Sequence, residues 1–221
     1  MSAQEISKRI DWDRLLEAME SEGFKRKAPV LTLKRFLNTP FQHLVFTILS
    51  ARTRDEQTAK AVENLFKVVS TPKDLAKLEI SEIERLIKST GFYRNKAKNL
   101  KAMAEVLVRE YNSKVPDDFD ELLKLPGVGR KTANVVLASA FNRNTIGVDT
   151  HVHRISNRLG LVNTSKPEDT EIELKKIVPE RYWRRVNKAF VAFGQTVCKP
   201  VKPLCEECPI NDICPKIGVK L

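Results

Sequence analysis

Hydrophobic residues recur along most of the chain with the spacing of an α-helix, and apolar and polar residues nowhere alternate over a sustained stretch. One helical stripe near the start is formed by Ile6, Ile10, Leu15, Leu16 and Met19. Further helices are predicted at about 55–69, 72–78, 82–90, 94–111, 118–124, 130–141, 150–159, 168–177 and 181–196. The pattern predicts an all-α fold without a sheet.

Capping residues mark several predicted helix ends. Thr39-Pro40 supplies an N-cap followed by a proline at the first helical position. Gly91 is expected to end the helix at 82–90, because glycine enters the left-handed region at little cost. Two residue pairs have the spacing of a capping box: Thr53 with Glu56, and Ser81 with Glu84.

The composition is that of a basic, folded protein. The 221 residues include 39 Lys and Arg against 28 Asp and Glu, which gives a net charge of +11. The hydrophobic fraction of 42% excludes wholesale disorder, and no apolar run approaches the roughly 20 residues that span a bilayer. The N-terminus also lacks a signal peptide, so we expect a soluble, intracellular protein. The charge favours a polyanion such as nucleic acid, although some basic proteins bind none.

A glycine-rich turn is predicted between two helices, in the sequence LPGVGRKTA (125–133). Its two glycines permit a tight turn, so that backbone N–H groups and the positive end of the next helix can face an anion. Such a site grips a DNA phosphate without reading sequence. The alternative is a plain helix–turn–helix connection. In this basic chain the phosphate interpretation is favoured.

Lys131 and Asp149 are candidates for amine and carboxylate chemistry. Lys131 falls in the first turn of a predicted helix, where the helix dipole disfavours a cation and so favours a free amine nucleophile. A carboxylate at Asp149 can steer that amine, accept its proton or stabilise positive charge on a sugar. Each residue also has an ordinary role: Lys131 as a phosphate contact and Asp149 as the N-cap of the next helix.

All four cysteines lie near the C-terminus, in a C-x6-C-x2-C-x5-C pattern, which favours one metal site of four thiolates over disulfides. The spacing leaves zinc and a [4Fe–4S] cluster open, with the cluster favoured. Between the first two cysteines, Lys199 and Lys202 lie on a loop suited to DNA backbone contact or simply exposed to solvent. The four cysteines are Cys198, Cys205, Cys208 and Cys214.

Together these segments resemble the endonuclease III family of DNA repair glycosylases. The sequence LPGVGRKTANVVLASAF (125–141) is similar to the family's helix-hairpin-helix, and GVDTHVHRISNRLGLV (147–162) to its aspartate segment. The cysteine spacing is that of the family's [4Fe–4S] cluster. Weaker similarity at Leu49-Ser50-Ala51 and Thr90-Gly91-Phe92-Tyr93 extends the resemblance over nearly the whole chain.

The resemblance implies a role for each of these residues. Lys131 matches the nucleophile that forms a Schiff base, and Asp149 the essential carboxylate. The hairpin, at about 121–134, is expected to contact DNA through residues that include Leu125, Gly127, Val128, Gly129 and Arg130. The four cysteines match the [4Fe–4S] ligands, and the cluster is expected to be structural.

The family fold implies two helical domains with a DNA cleft between them. A six-helix barrel at 33–143 would contain the hairpin, and residues 1–32 and 144–221 would form the cluster domain. Arg52 stands where bacterial relatives carry a glutamine that fills the gap left by an extruded nucleotide. Phe92 stands where the family inserts an apolar wedge, although a core residue is the alternative.

The expected activity is that of a glycosylase with abasic-site lyase activity, which removes oxidised pyrimidines from damaged double-stranded DNA. The protein is expected to act as a monomer in the cytoplasm of a prokaryote, associated with the nucleoid. Three alternatives remain at this point: a monofunctional glycosylase for mismatched adenine or thymine, a non-catalytic DNA-binding protein with a structural metal, and a zinc-stabilised basic protein of another purpose.

Overall fold

The structure, a computed structural model, describes residues 10–32 and 37–219, and within these ranges it contains helices and no strand. No described helix is both long and apolar enough to cross a membrane. The α-helices, numbered α1 to α12, are Trp12–Lys25, Pro29–Thr32, Pro40–Ser50, Asp55–Phe66, Pro72–Lys77, Ile80–Ile87, Tyr93–Glu110, Phe119–Leu123, Arg130–Ala140, Thr150–Arg158, Pro167–Ile177 and Trp183–Thr196.

The all-α prediction is confirmed, and each helix predicted from periodicity has a counterpart whose ends differ by a few residues. In the first predicted stripe, Leu15, Leu16 and Met19 are buried on α1, whereas Ile6 lies outside the described residues. A 3-10 turn at Glu180–Tyr182 precedes α12, which explains why that helix begins later than predicted. Periodicity therefore located the helices, and their exact ends depend on local capping.

Both predicted capping boxes are wrong. Helix α4 begins at Asp55 after Arg54 and has no side-chain cap, so Thr53 and Glu56 form no capping box. At α6 the capping box is formed by Glu79 and Glu82, and the Glu82 side chain accepts a hydrogen bond from the Glu79 N–H at 3.1 Å. The observed pair thus lies two positions before the predicted pair, Ser81 and Glu84. Tertiary contacts use Thr53 for another purpose, described below.

The helix starts at Thr39 and Thr71 show what a complete cap requires. The Thr39 hydroxyl accepts from the Gln42 amide at 3.2 Å, and Gln42 Oε1 accepts from the Thr39 amide at 3.1 Å. The same exchange joins Thr71 and Asp74. In each pair the threonine is followed directly by a proline, which is the first residue of the helix. A proline costs nothing at this position, because the first N–H groups of a helix have no partner within the helix.

The chain divides into two compact units. The first contains the residues up to Thr32 together with those from Arg143 onwards, and the second runs from Leu33 to Asn142. Each unit has its own hydrophobic core. The core of the second unit is built from α3 to α9 and contains residues such as Leu44, Leu100 and Val136.

In the first unit, the N-terminal helix α1 packs on α12 and holds the C-terminal segment. Gly23 of α1 lies so close to α12 that an added Cβ would stand 2.6 Å from the Cβ of Ala192. Two ion pairs join α1 to the cysteine-bearing segment: Arg14 with Asp212 at 2.8 Å, and Arg26 with Glu207 at 2.7 Å. These exposed pairs orient the segment more than they stabilise it, since surface ion pairs contribute little.

Candidate active site and cysteine centre

The predicted hairpin joins α8 to α9. The Val128 N–H donates to the Leu125 carbonyl at 3.1 Å, which closes the turn. Gly127 has a φ of +80°, and a Cβ at this position would stand 2.9 Å from the Cβ of Asn99 on α7. Glycine is thus required at position 127 for both its conformation and its close packing.

The exposed surface of the hairpin is formed by backbone and by Arg130. Gly129 is the N-cap of α9 and has no side chain to cap the helix, and the first turn contains no acidic residue. The Arg130 guanidinium lies 5.0 Å from the centre of the Phe119 ring on α8. The side chains of Leu125 and Val128 are buried in the core, so only their backbone is placed to meet a partner.

Lys131 is the second residue of α9, and its side chain is half-buried. It lies beside Thr132 and Ala133, which are buried in the same turn. The predicted position in a first helical turn is therefore correct.

Asp149 is the N-cap of α10, as its ordinary interpretation predicted. Its Oδ1 atom accepts from the N–H groups of His151 and Val152, both at 2.9 Å. Within the described part of the chain, no hydrogen bond is made to Oδ2. One carboxylate oxygen therefore fixes the orientation of the side chain, and the other remains available for chemistry.

The four cysteines line one cavity of about 30 Å³ in the first unit, and each is half-buried. Burial, reinforced by the neighbouring thiolates, raises the pKa of Cys208 to about 11, and burial likewise raises the pKa of Cys214. Such thiols ionise only beside a strong positive charge. Four thiols that line one cavity and need a nearby positive charge to ionise are a suitable donor set for an iron–sulfur cluster.

The loop between the first two cysteines is closed at its base, where the N–H of Leu204 donates to the Val197 carbonyl at 3.0 Å. Lys199 and Lys202 are both exposed on this loop. Val201 stands between them with 76% of its surface exposed. The two predicted lysines are thus placed where a partner can reach them.

Arg52 and Phe92 lie together in the second unit, which sequence reasoning did not anticipate. The Arg52 guanidinium carbon is 5.8 Å from the centre of the Phe92 ring. Phe92 is 62% exposed, so its alternative interpretation as a core residue is wrong. Both residues have left-handed backbone, with φ values of 52° and 56°, and it is Phe92, rather than the expected Gly91, that enters this region.

Comparison with known proteins gives these features a common origin. The model of the HhH-GPD superfamily of base excision DNA repair proteins matches residues 45–180, and the iron-sulfur binding domain of endonuclease III matches residues 198–214. Endonuclease III of Thermotoga maritima is 53% identical over 175 residues, which cover 79% of this chain and 82% of the relative. This chain belongs to the endonuclease III family.

Solved structures agree with that assignment. A trapped covalent intermediate of endonuclease III with DNA aligns with a TM-score of 0.77 and 38% identity, over 88% of this chain and 96% of that one. A thermostable thymine-DNA glycosylase aligns with a TM-score of 0.72 and 29% identity, over 87% and 96%. As a member of the endonuclease III family, the chain is a base excision repair DNA glycosylase with abasic-site lyase activity and a [4Fe–4S] cofactor.

Sequence reasoning missed two arginines of this endonuclease III family member, Arg158, which is buried, and Arg154, which is half-buried. Arg158 is only 9% exposed, and its guanidinium donates to Cys198 Sγ at 3.4 Å and to the carbonyls of Lys199 and Pro200 at 2.7 and 3.0 Å. Arg154 donates to the Cys198 carbonyl at 2.8 Å. Both arginines extend from α10, the helix that Asp149 caps, and so connect it to the cysteine segment.

A buried lysine was missed as well. Lys96 on α7 is 7% exposed, and burial lowers its pKa to about 8. Its Nζ donates to the carbonyls of Leu49 and Ala51 and to Thr53 Oγ1, each at 2.7 Å. The helical periodicity of α7 places position 96 on the inward face, with Ala97 and Leu100. This periodicity was the feature of the sequence from which burial of Lys96 could have been predicted.

Proposed function

We propose that this glycosylase removes oxidised pyrimidines from damaged double-stranded DNA and then cuts the strand on the 3′ side of the abasic site. The observation that carries the proposal is the state of Asp149, whose carboxylate is oriented through Oδ1 while Oδ2 accepts nothing from the described residues. A carboxylate held in this way is suited to proton transfer and to stabilising a developing cation.

Lys131 supplies the nucleophile. Its unprotonated Nζ forms a bond to C1′ while the bond from C1′ to the base breaks, and the base leaves with the electron pair. Asp149 stabilises the positive charge that develops on the sugar and assists removal of the amine proton. The nitrogen lone pair then forms the C1′=N bond while the C1′–O4′ bond breaks and O4′ takes a proton, which opens the sugar ring and gives a protonated Schiff base. This Schiff base acidifies C2′, whose proton passes to a base as the bond from C3′ to the 3′ phosphate oxygen breaks and the phosphate leaves with the electron pair. The trapped covalent intermediate of a relative supports this route.

The hairpin grips the DNA backbone. The exposed turn at Gly127 and Gly129 and the uncapped start of α9 present backbone N–H groups to a phosphate, with the Arg130 cation beside them. Leu125 and Val128 contribute their backbone to this contact and their side chains to the core.

Lys199 and Lys202 form a second backbone contact, because both are exposed on a closed loop. Each phosphate contact releases counterions, so removing both lysines by alanine substitution should lower the slope of log affinity against log salt by about 2. DNA binding measured by fluorescence anisotropy at several salt concentrations tests this assignment. An unchanged slope would show that the loop does not meet phosphates.

Cys198, Cys205, Cys208 and Cys214 hold the [4Fe–4S] cluster. When bound, the cluster cross-links the C-terminal segment and supplies the charge that keeps these buried thiols ionised. Arg158 partly neutralises the thiolate charge and fixes the lysine-bearing loop. The chemistry of base release needs no electron transfer, so the role proposed for the cluster is structural.

Arg52 and Phe92 act where a nucleotide leaves the base stack. An exposed ring stacks on bases, and an arginine has the donors to bond the base left without a partner. Extrusion of the target is easier for a damaged pair, which contributes to selectivity. We also propose that the protein acts as a monomer in the cytoplasm of a prokaryote, associated with the nucleoid.

Borohydride trapping on thymine-glycol duplex tests the mechanism. The wild type should give a covalent protein–DNA adduct, Lys131→Ala should give none, and Lys114→Ala, which removes an exposed lysine, should behave like the wild type. An adduct with Lys131→Ala would refute the assignment of the nucleophile. Base release without strand cleavage would favour a monofunctional glycosylase, and binding without base release would favour a non-catalytic protein.

A further inference from the structure

Lys96 is a buried cation held by a complete set of acceptors. The three donors of its ammonium are directed at the carbonyls of Leu49 and Ala51 and at Thr53 Oγ1, each at 2.7 Å. No ion pair with a carboxylate is formed by Lys96 within the described chain. The carbonyls at the C-terminal end of α3 bind the ammonium instead of a carboxylate, because a helix C-terminus favours a cation.

The same contacts join two segments that are distant in sequence. Thr53 Oγ1, which receives the Lys96 ammonium, also accepts from the Gly91 N–H at 3.1 Å. Gly91 in turn lies so close to the Arg52 carbonyl that an added Cβ would be 2.8 Å from its oxygen. Lys96 and Thr53 therefore fasten the turn after α3 to the turn before α7.

Each of these turns contains a residue with a strained backbone conformation and an exposed side chain. Arg52 and Phe92 have left-handed backbone, a conformation that a residue with a side chain keeps only when its surroundings enforce it. Their side chains meet in a cation–π contact, with the guanidinium carbon 5.8 Å from the ring centre. The buried hydrogen bonds of Lys96 are placed to enforce both conformations.

We propose that Lys96 is a positioning residue that holds Arg52 and Phe92 together as a single insertion element, which displaces the target nucleotide from the duplex. The proposal rests on the proposed function, in which these two side chains act on the DNA stack. Lys96 itself is buried and is not placed to touch DNA. Its loss would take the Lys96 donor from the carbonyl of the buried Leu49 and release the two turns.

The test replaces Lys96 by methionine, which keeps an unbranched side chain of nearly the same length and removes its donors. Lys101→Met is the matched control. Lys101 lies on the same helix and donates to the carbonyls of Ala76 and Leu78 at the C-terminal end of α5. Both variants remove a lysine that caps a helix end. Only Lys96 is connected to the turns of Arg52 and Phe92.

Single-turnover base release would be measured on two duplexes containing thymine glycol, one with adenine opposite the lesion and one with an abasic site opposite it. The rate with Lys96→Met should fall about tenfold on the duplex with adenine. It should fall much less on the duplex with the abasic site, because an unpaired lesion is extruded easily. Lys101→Met should retain the wild-type ratio between the two. The fluorescence of 2-aminopurine beside the lesion should rise less with Lys96→Met than with the wild type.

A double-mutant cycle with Phe92→Ala separates positioning from general loss of structure. If Lys96 acts through Phe92, adding Lys96→Met to Phe92→Ala should cost little more than Phe92→Ala alone. Additive losses, or equal losses on both duplexes, would overturn the proposal. If Lys96→Met does not fold, Thr53→Val removes the shared acceptor and should give the same pattern. Absence of base release by the wild type on either duplex would instead overturn the proposed function.

Discussion

Substitution of Asp149 by asparagine separates its structural role from its chemical role. Both hydrogen bonds that cap α10 end on Oδ1, at 2.9 Å, and an asparagine carbonyl can accept both. Asparagine and aspartate are equally good N-caps, so Asp149→Asn should lose only the attraction between a carboxylate and the helix dipole, about 0.3–1 kcal/mol. Asp149→Ala should lose the cap as well, for a total of about 2 kcal/mol.

The two variants should therefore separate in stability and agree in chemistry. In a chain of this size each kcal/mol shifts the unfolding midpoint by about 2–4 °C, which calorimetry resolves. Base release by Asp149→Asn should nevertheless fall by about 10²–10⁴-fold, because an amide cannot take a proton or balance a developing cation. Single-turnover assays with saturating protein measure that step without a contribution from DNA affinity.

Two results would refute this reasoning about Asp149. A rate for Asp149→Asn within a few-fold of the wild type would mean that the residue is only a helix cap. A loss of stability equal to that of Asp149→Ala would mean that the second carboxylate oxygen has a structural partner. The matched control is Asp118→Asn, because Asp118 also caps a helix through two backbone N–H groups, and this change should leave the rate unaltered.

Further predictions concern the hairpin, the buried lysine and the cysteine centre. Gly127→Ala should destabilise the protein by about 1–3 kcal/mol, whereas Gly129→Ala, with nothing within 4 Å of its Cβ position, should be nearly neutral in thermal unfolding. Burial lowers the pKa of Lys96 to about 8, so the Lys96 amine binds its proton more tightly in the unfolded chain than in the folded protein. The free energy of unfolding of the wild type, relative to that of Lys96→Met, should therefore rise from pH 8 to 10. Denaturant titrations that show this free-energy difference to be flat or falling would contradict the prediction. Arg158→Met removes the donor to Cys198 Sγ and should lower the iron content and visible absorbance of the purified protein, and unchanged iron would show that the contact is dispensable.

Helix positions could be predicted from the sequence because burial on one face imposes a period that the residues themselves display. Helix starts were predicted less well. Thr53 has the spacing of a capping residue relative to Glu56, but its hydroxyl is taken by Lys96 and by the Gly91 N–H, and the helix begins without it. A local pattern cannot show that a more distant donor competes for the same oxygen.

Candidate residues with a recognisable motif could also be predicted, whereas buried cations could not. Lysine and arginine are mostly exposed, so residue type gives no reason to place Lys96 or Arg158 inside the protein, and only the position of Lys96 on the inward face of its helix indicates burial. Lys96 and Arg158 are buried and Arg154 is half-buried, and each donates to carbonyl oxygens that come together only in the folded state. The pairing of Arg52 with Phe92 was missed for the same reason, since forty residues separate them.

The contacts of α10 connect the cysteine centre to the proposed chemistry within the first unit. Asp149 caps the start of this nine-residue helix, Arg154 binds the Cys198 carbonyl, and Arg158 at its last turn binds Cys198 Sγ. Loss of the cluster should release these arginines and loosen the helix that orients the carboxylate. The hairpin at Gly127 belongs to the other unit.

Removal of iron by a chelator should therefore abolish base release at concentrations of protein that still shift duplex DNA in a binding assay. Hydrogen exchange should show faster exchange in α10, at Thr150–Arg158, than in α9, at Arg130–Ala140. Equal loss of protection in both helices would mean that the cluster supports the whole chain. Full base release after chelation would mean that Asp149 is held by its cap alone, because its two bonds to backbone N–H groups do not involve the cysteines.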